Sequence, residues 1–244
     1  MENIAVITPY YKEPDEQLLQ CHNSVLAQSY PCTHILVADG FPKHIATPNR
    51  TLHVPLPMSN ADYGNMPRFI GGVLAESYGF DAVAYLDADN WFEPDHLEKM
   101  LVAQRETGAA LVSCKRTFRD LEGQVLPVTE IEEDSFSHVD TNCWLIARPA
   151  FGLFKYWRAP KQVSIVVDRI FFQAAQRERY KITETHHRTV NYRTKYPDHY
   201  IKAGVALPPG VYQTDGLSEA QKYALSLEGV KRLTDMLGFY PSLA

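Results

Sequence analysis

Apolar residues fall into short runs and helical stripes along the whole chain. Residues 3–8 (NIAVIT) make a run of strand length, and Pro9 stops it. Pro14 opens a helix whose face carries Leu18, Leu19, Val25 and Leu26, with His22 set among them. Residues 33–38 (THILVA) are a second strand, so residues 3–38 read as a right-handed βαβ unit. A short third strand is predicted at 51–55. Met66, Phe69, Ile70, Val73 and Leu74 then recur at i, i+3, i+4, i+7 and i+8, with Asn65 as N-cap and Pro67 in the first turn. Gly71 and Gly72 in mid-helix predict close approach by another backbone. Ala82–Leu86 is a buried strand that ends on Asp87 and Asp89. Pro94 starts the helix continued by Leu97, Met100, Leu101 and Gln104.

Further strands are predicted at 109–115 (AALVSCK) and 138–148 (HVDTNCWLIAR). Between them, residues 116–137 read as an irregular excursion or a hairpin, with Glu130, Glu132, Glu133 and Asp134 as a solvated acidic run. Phe151, Phe154, Tyr156 and Trp157 read either as a small core or as faces that stack on sugar rings. Val167, Ile170, Phe171, Ala174 and Ala175 mark another helix, and two strands or a hairpin are predicted in 182–193. Ser218 and Gln221 form a capping box for a C-terminal helix bearing Tyr223, Leu227, Val230, Leu233 and Leu237. Strands alternating with helices predict an α/β fold around a mostly parallel sheet.

Composition narrows the partners more than the fold. A chain of 244 residues makes one large domain or two small ones. Its 45% apolar and 22% charged residues are those of an ordinary globular protein. With a net charge of −5 and no Lys/Arg cluster, nucleic acid is not an expected partner. No apolar run approaches the ~18 residues of a membrane span. The N-terminus enters a strand directly, without a leader pattern, so a cytoplasmic location is expected. Cys21, Cys32, Cys114 and Cys143 are scattered and read as buried free thiols.

The candidate chemistry gathers at strand ends. Asp87 and Asp89 lie two residues apart on extended backbone and so point the same way. At the carboxyl end of a strand they sit where open α/β sheets bind ligands. Hard oxygen ligands there suit Mg²⁺ or Mn²⁺ carrying a diphosphate, although the same spacing also serves a solvated turn or a helix cap. Asp39 ends the second strand and can meet a ribose or base, or can simply build the turn with Gly40. Arg68, one turn inside a helix, can reach a diphosphate or lie on the surface. Asp168 in a first helical turn suits the helix dipole or the work of a general base. His186, His187, Lys195 and His199 are candidates for a third metal ligand or a phosphate contact. Neither a dinucleotide glycine fingerprint nor a Walker loop is present.

These segments together resemble the family-2 glycosyltransferases with the glycosyltransferase-A fold, from residue 3 to residue 195. VITPYYKEPDEQLLQCHNSVLAQSYP is similar to the family's opening strand, nucleotide loop and helix. HILVADG resembles its second strand, DYGNMPRFIGGVLA its middle helix near the diphosphate, and YLDADNWFEPDHLEKM its metal motif. HVDTNCWLIARPAF with VDRIFFQAA resembles the acceptor-side strand and the helix of the catalytic base.

The resemblance implies a single glycosyltransferase-A domain: a Rossmann-like sheet flanked by helices, with a smaller acceptor-side sheet. Residues 1–107 would bind the nucleotide sugar and 108–215 the acceptor, with a C-terminal helix over 216–244. It implies metal-dependent, inverting transfer from a nucleoside-diphosphate sugar, UDP-sugars favoured, to a hydroxyl acceptor in polysaccharide or glycoconjugate synthesis. The acceptor would be a saccharide or a lipid-linked saccharide, which allows peripheral contact at the inner face of a membrane. Thr8, Pro9, Tyr10, Asp39, Asp62, Arg68 and Asp87 would contact the nucleotide side, Asp87 and Asp89 the Mn²⁺ or Mg²⁺, and Asp168 would be the base. Two departures stand out. Val167 precedes Asp168 where the family often has Glu, which makes Asp140 a rival base. Lys195 stands where the family's Tyr-Arg-x-His places its histidine, so Lys195 would contact phosphate, or His187 or His199 would replace that histidine at the metal. Two other readings remain: a binding module without catalysis, and a nucleotidyltransferase, whose Gly-rich loop is missing from TPYYKEP.

Overall fold

The computed structural model describes residues 2–46, 49–128, 139–212 and 216–243. Strand β1 (Ile4–Tyr10) is buried at every position, as a strand covered on both faces requires. It pairs in parallel with β2 (Cys32–Ala38) on one side and β4 (Ala82–Tyr85) on the other. Beyond β2 lies the parallel β3 (Thr51–Pro55). Helix α1 (Asp15–Leu26) makes the predicted crossover between β1 and β2. Helix α2 (Asn65–Ser77) leads into β4. The short β5 (Trp91–Phe92) precedes α3 (His96–Thr107) and β6 (Leu111–Arg119). Strand β7 (Trp144–Ala147) pairs antiparallel with β4 through Ala82–Ala84. Helix α4 (Val167–Arg177) and strand β8 (Ile182–Arg193) follow. One eight-stranded sheet results, in the order β3-β2-β1-β4-β7-β6-β8-β5, so the acceptor-side strands continue the parallel half.

Several local expectations change for physical reasons. Gly71 and Gly72 do mark close approach, but by side chains: an added Cβ would meet Ile7 at 2.5 Å and Phe154 at 2.7 Å. The N-cap of α2 is Gly64, in the left-handed region at φ 79°, and Asn65 is already helical. Phe151, Phe154, Tyr156 and Trp157 are all buried along a 3₁₀ segment (Arg148–Arg158), so they are core. Residues 182–193 form one strand, not two, with register shifts against β6 on either side of Lys115. The C-terminal helix is split into α6 (Gly216–Leu225) and α7 (Leu227–Leu237), after α5 (Pro197–Ala203). Ser226 caps α7, its Oγ accepting from the Gly229 N–H at 3.0 Å. The acidic run at 130–134 lies outside the described residues.

Beneath the sheet, His22 and His34 share a hydrogen bond at 2.8 Å between their Nδ1 atoms, and His34 Nε2 meets Thr8 Oγ1 at 2.8 Å. Burial holds both imidazoles below their ordinary value, and it pushes His199 down to about 4. These groups stay neutral in the folded chain at pH values where the unfolded chain binds protons. Their contribution is therefore intact above the unfolded value near 6.5 and is lost as pH falls below it. The expected loss is about 1.4 kcal/mol per pH unit for each histidine held neutral. Urea unfolding at pH 7.5 and pH 5.5 checks this, and equal midpoints would contradict it.

Candidate active site

A cleft of about 500 Å³ opens beyond the carboxyl ends of β1, β2 and β4. Each wall has a local origin. Strand β4 ends in the Asp87–Asp89 turn. The first turn of α2 brings Arg68, and the first turn of α4 brings Asp168. Arg193 closes β8 and Lys195 follows it. Pro9, Tyr10, Asp39 and Asp62 line it too.

The floor is an ionic lattice. Arg68 donates from Nη2 to Asp87 Oδ1 and from Nη1 to the Tyr63 carbonyl at 2.8 Å. Its guanidinium lies 5.4 Å from the centre of the Trp157 ring. Asn142 Nδ2 donates to Asp87 Oδ2 at 3.0 Å and to Asp140 Oδ1 at 2.7 Å. Asp140 in turn pairs with Arg116 Nη1 at 2.6 Å. Burial pushes the Asp87 carboxyl up despite the Arg68 guanidinium, which pulls it down. On the near side, Lys195 Nζ donates to Asp89 Oδ2 at 2.9 Å, and Arg193 Nη1 donates to the Asp89 carbonyl oxygen. Burial alone would lower the Lys195 ammonium, yet the adjoining Asp89 carboxylate carries it above its ordinary value.

Asp39 is the hub of a loop. It is buried and accepts from the Asn60 N–H at 2.8 Å, Asn60 Nδ2 at 2.9 Å, Ser59 Oγ at 3.1 Å and the Ala61 N–H at 3.3 Å. The loop it holds contains two non-glycine residues in the left-handed region, Ala61 at φ 49° and Tyr63 at φ 58°. Such conformations persist where the surroundings over-determine them, often at functional sites. Asp62 borders the cleft and caps α2, its Oδ2 accepting from the Met66 N–H at 2.8 Å.

Not every predicted residue joins the cleft. Thr8 is fully buried, with its hydroxyl at His34, and does not line the cavity. His187 is exposed on β8, roughly 25 Å of extended strand away from Lys195, so it does not join the carboxylates. His199 packs its ring against Phe118 at 4.6 Å and its Nδ1 against Thr194. Among the described residues, no three His, Cys, Asp or Glu side chains converge on one point. A cation on Asp89 would lie beside the Lys195 ammonium, and one on Asp87 beside the Arg68 guanidinium. These residues do not fit a resident divalent ion.

Sequence reasoning did not single out Arg116, Asn142, Tyr63, Tyr196 or Tyr212. Asn142 is brought to Asp87 by the pairing of β7 with β4, and Arg116 to Asp140 by that of β6 with β7, which leaves no local signature. Tyr196 and Tyr212 meet edge-to-face at 5.1 Å on the cleft wall, from a helix cap and a loop.

No family model matches the chain, and no curated protein matches it in sequence. Solved structures do. Residues 1–349 of S. aureus TarS in complex with UDP align at a TM-score of 0.57 and 15% identity, covering 96% of this chain and 72% of that one. The same TarS segment in complex with UDP-GlcNAc aligns at 0.56 and 14%, covering 96% and 73%. A longer S. aureus TarS structure aligns at 0.57 and 14%, covering 95% of this chain and 43% of that one. At these identities the likeness is one of fold, a single glycosyltransferase-A-like domain. Among the described residues, no helix is long and apolar enough to cross a membrane.

Proposed function

We propose that this chain transfers a sugar from a nucleoside-diphosphate sugar, UDP-sugars favoured, to a hydroxyl of a saccharide or lipid-linked saccharide, with inversion. The observation that carries this reading is one cleft lined by the Lys195–Asp89 and Arg68–Asp87 pairs and by Asp168. Cations on one side suit a departing diphosphate, and a carboxylate on a rigid helix suits an incoming hydroxyl. TarS bound to UDP and to UDP-GlcNAc supports a uridine nucleotide. In the reaction, Asp168 takes the acceptor proton as its oxygen bonds to the anomeric carbon. The bond from that carbon to the β-phosphate oxygen breaks, and its electron pair leaves with the diphosphate. Attack opposite the leaving group inverts the centre.

Asp168 is taken as the base from its place in the first turn of α4 at the cleft, with Asp140, held by Arg116 and Asn142, as the rival. Residues 1–107, joined by Lys195, take the donor in this reading, and the rest of residues 108–215 take the acceptor. A thermal-shift panel of UDP-, GDP- and dTDP-sugars tests it. One nucleotide at ~100 times its dissociation constant is expected to add about 2.7 kcal/mol of stability. No shift with any of them would sink the reading.

A further inference from the structure

We propose that this chain binds the donor diphosphate without a divalent cation, with the Lys195 ammonium as its counter-ion. The inference rests on the nucleotide-sugar reading above and names how that site meets its charge. Three observations carry it. Asp89 already has cations on it: Lys195 on Oδ2 at 2.9 Å and Arg193 on the carbonyl oxygen. The second carboxylate of the motif, Asp87, is engaged by Arg68 on one oxygen and by Asn142 on the other. No third hard ligand converges on the pair among the described residues.

Lys195 is also placed for the work. Its carbonyl accepts from the Tyr212 N–H at 2.8 Å, which fixes the backbone, while its side chain is about one-third exposed at the cleft. An ammonium is a compact charge with three donors on a flexible stem, so it can turn from Asp89 to a phosphate oxygen without moving the chain. Charge grows on the β-phosphate oxygen as the sugar leaves, and a cation already in place stabilises that charge in the transition state. A divalent ion on Asp87 or Asp89 would lie against the cations that already pair with those carboxylates, Arg68 and Lys195.

The test is calorimetric titration of the full chain with UDP and with GDP, in excess EDTA and in Mn²⁺. The expected result is one nucleotide that binds equally well in both. Lys195→Met should weaken that binding about tenfold or more, and Lys195→Arg should keep most of it. Circular dichroism and thermal midpoints establish that both variants fold. Asp89→Asn separates the alternatives further. It frees the ammonium, so it should leave binding in EDTA unchanged or tighter, whereas loss of a metal ligand would weaken it. Binding that appears only with Mn²⁺ would overturn the inference while sparing the nucleotide-sugar reading. Absence of binding in both conditions would overturn the two together.

Discussion

Asp168→Asn is expected to lower turnover by about 10²–10⁴-fold while leaving nucleotide affinity unchanged. The substitution keeps the shape of the side chain and removes the basic oxygen. Its position does not depend on the charge, because α4 is anchored by Val167, Ile170, Phe171, Ala174 and Ala175, all buried. The nucleotide side of the cleft is built from β4, α2 and the end of β8, so binding should not register the change. Single-turnover rates with the donor found by thermal shift, set beside a calorimetric affinity, make the measurement. Wild-type turnover in Asp168→Asn, with turnover lost in Asp140→Asn, would move the base to Asp140.

Trp157→Ala is expected to cost about 3–5 kcal/mol of stability, the range for emptying a large aromatic site in a core. Trp157 is almost wholly buried and stacks on Phe171 with centroids 4.9 Å apart. It meets Tyr85 edge-on at 5.4 Å, and its Nε1 donates to the Tyr85 hydroxyl at 3.1 Å. The ring is also the platform under Arg68, so nucleotide binding should weaken together with stability. Trp157→Phe keeps a platform and drops the hydrogen bond, and it should lose less of both. Urea unfolding measures the first effect. A Trp157→Ala midpoint within error of wild type would show that the aromatic layer does not hold the cleft.

Strand ends were readable where the signal is local. The run Ala82–Leu86 followed by two spaced aspartates announced both a buried strand and its acidic turn, because burial and turn chemistry are written in adjacent residues. Asp168 was readable for the same reason, as an acidic first turn ahead of an apolar stripe. What the carboxylates touch was not readable. Arg68 reaches Asp87 across nineteen positions, and Lys195 reaches Asp89 across one hundred and six. Such pairings follow from sheet order, and order is decided by packing over the whole chain. Thr8 shows the limit on the scale of one residue. Its neighbours Pro9 and Tyr10 line the cleft at the end of β1, but Thr8 lies further inside the sheet with its hydroxyl on the buried His34. Asp39 was legible as a strand-end carboxylate, while the loop residues 59–61 that fill its acceptor positions carry no pattern.

The Asp89–Lys195 pair has a consequence for product release. With Lys195 as the counter-ion, the spent nucleotide has to hold the ammonium against a carboxylate tethered a hydrogen bond away. That tethered rival cannot diffuse off, so it competes at an effective concentration that dilution does not change. On the proposed reading, Asp89 would thereby shorten the residence of the product and clear the cleft for the next donor. If Asp89→Asn grips the nucleotide more tightly, it should turn over more slowly than wild type at saturating substrate.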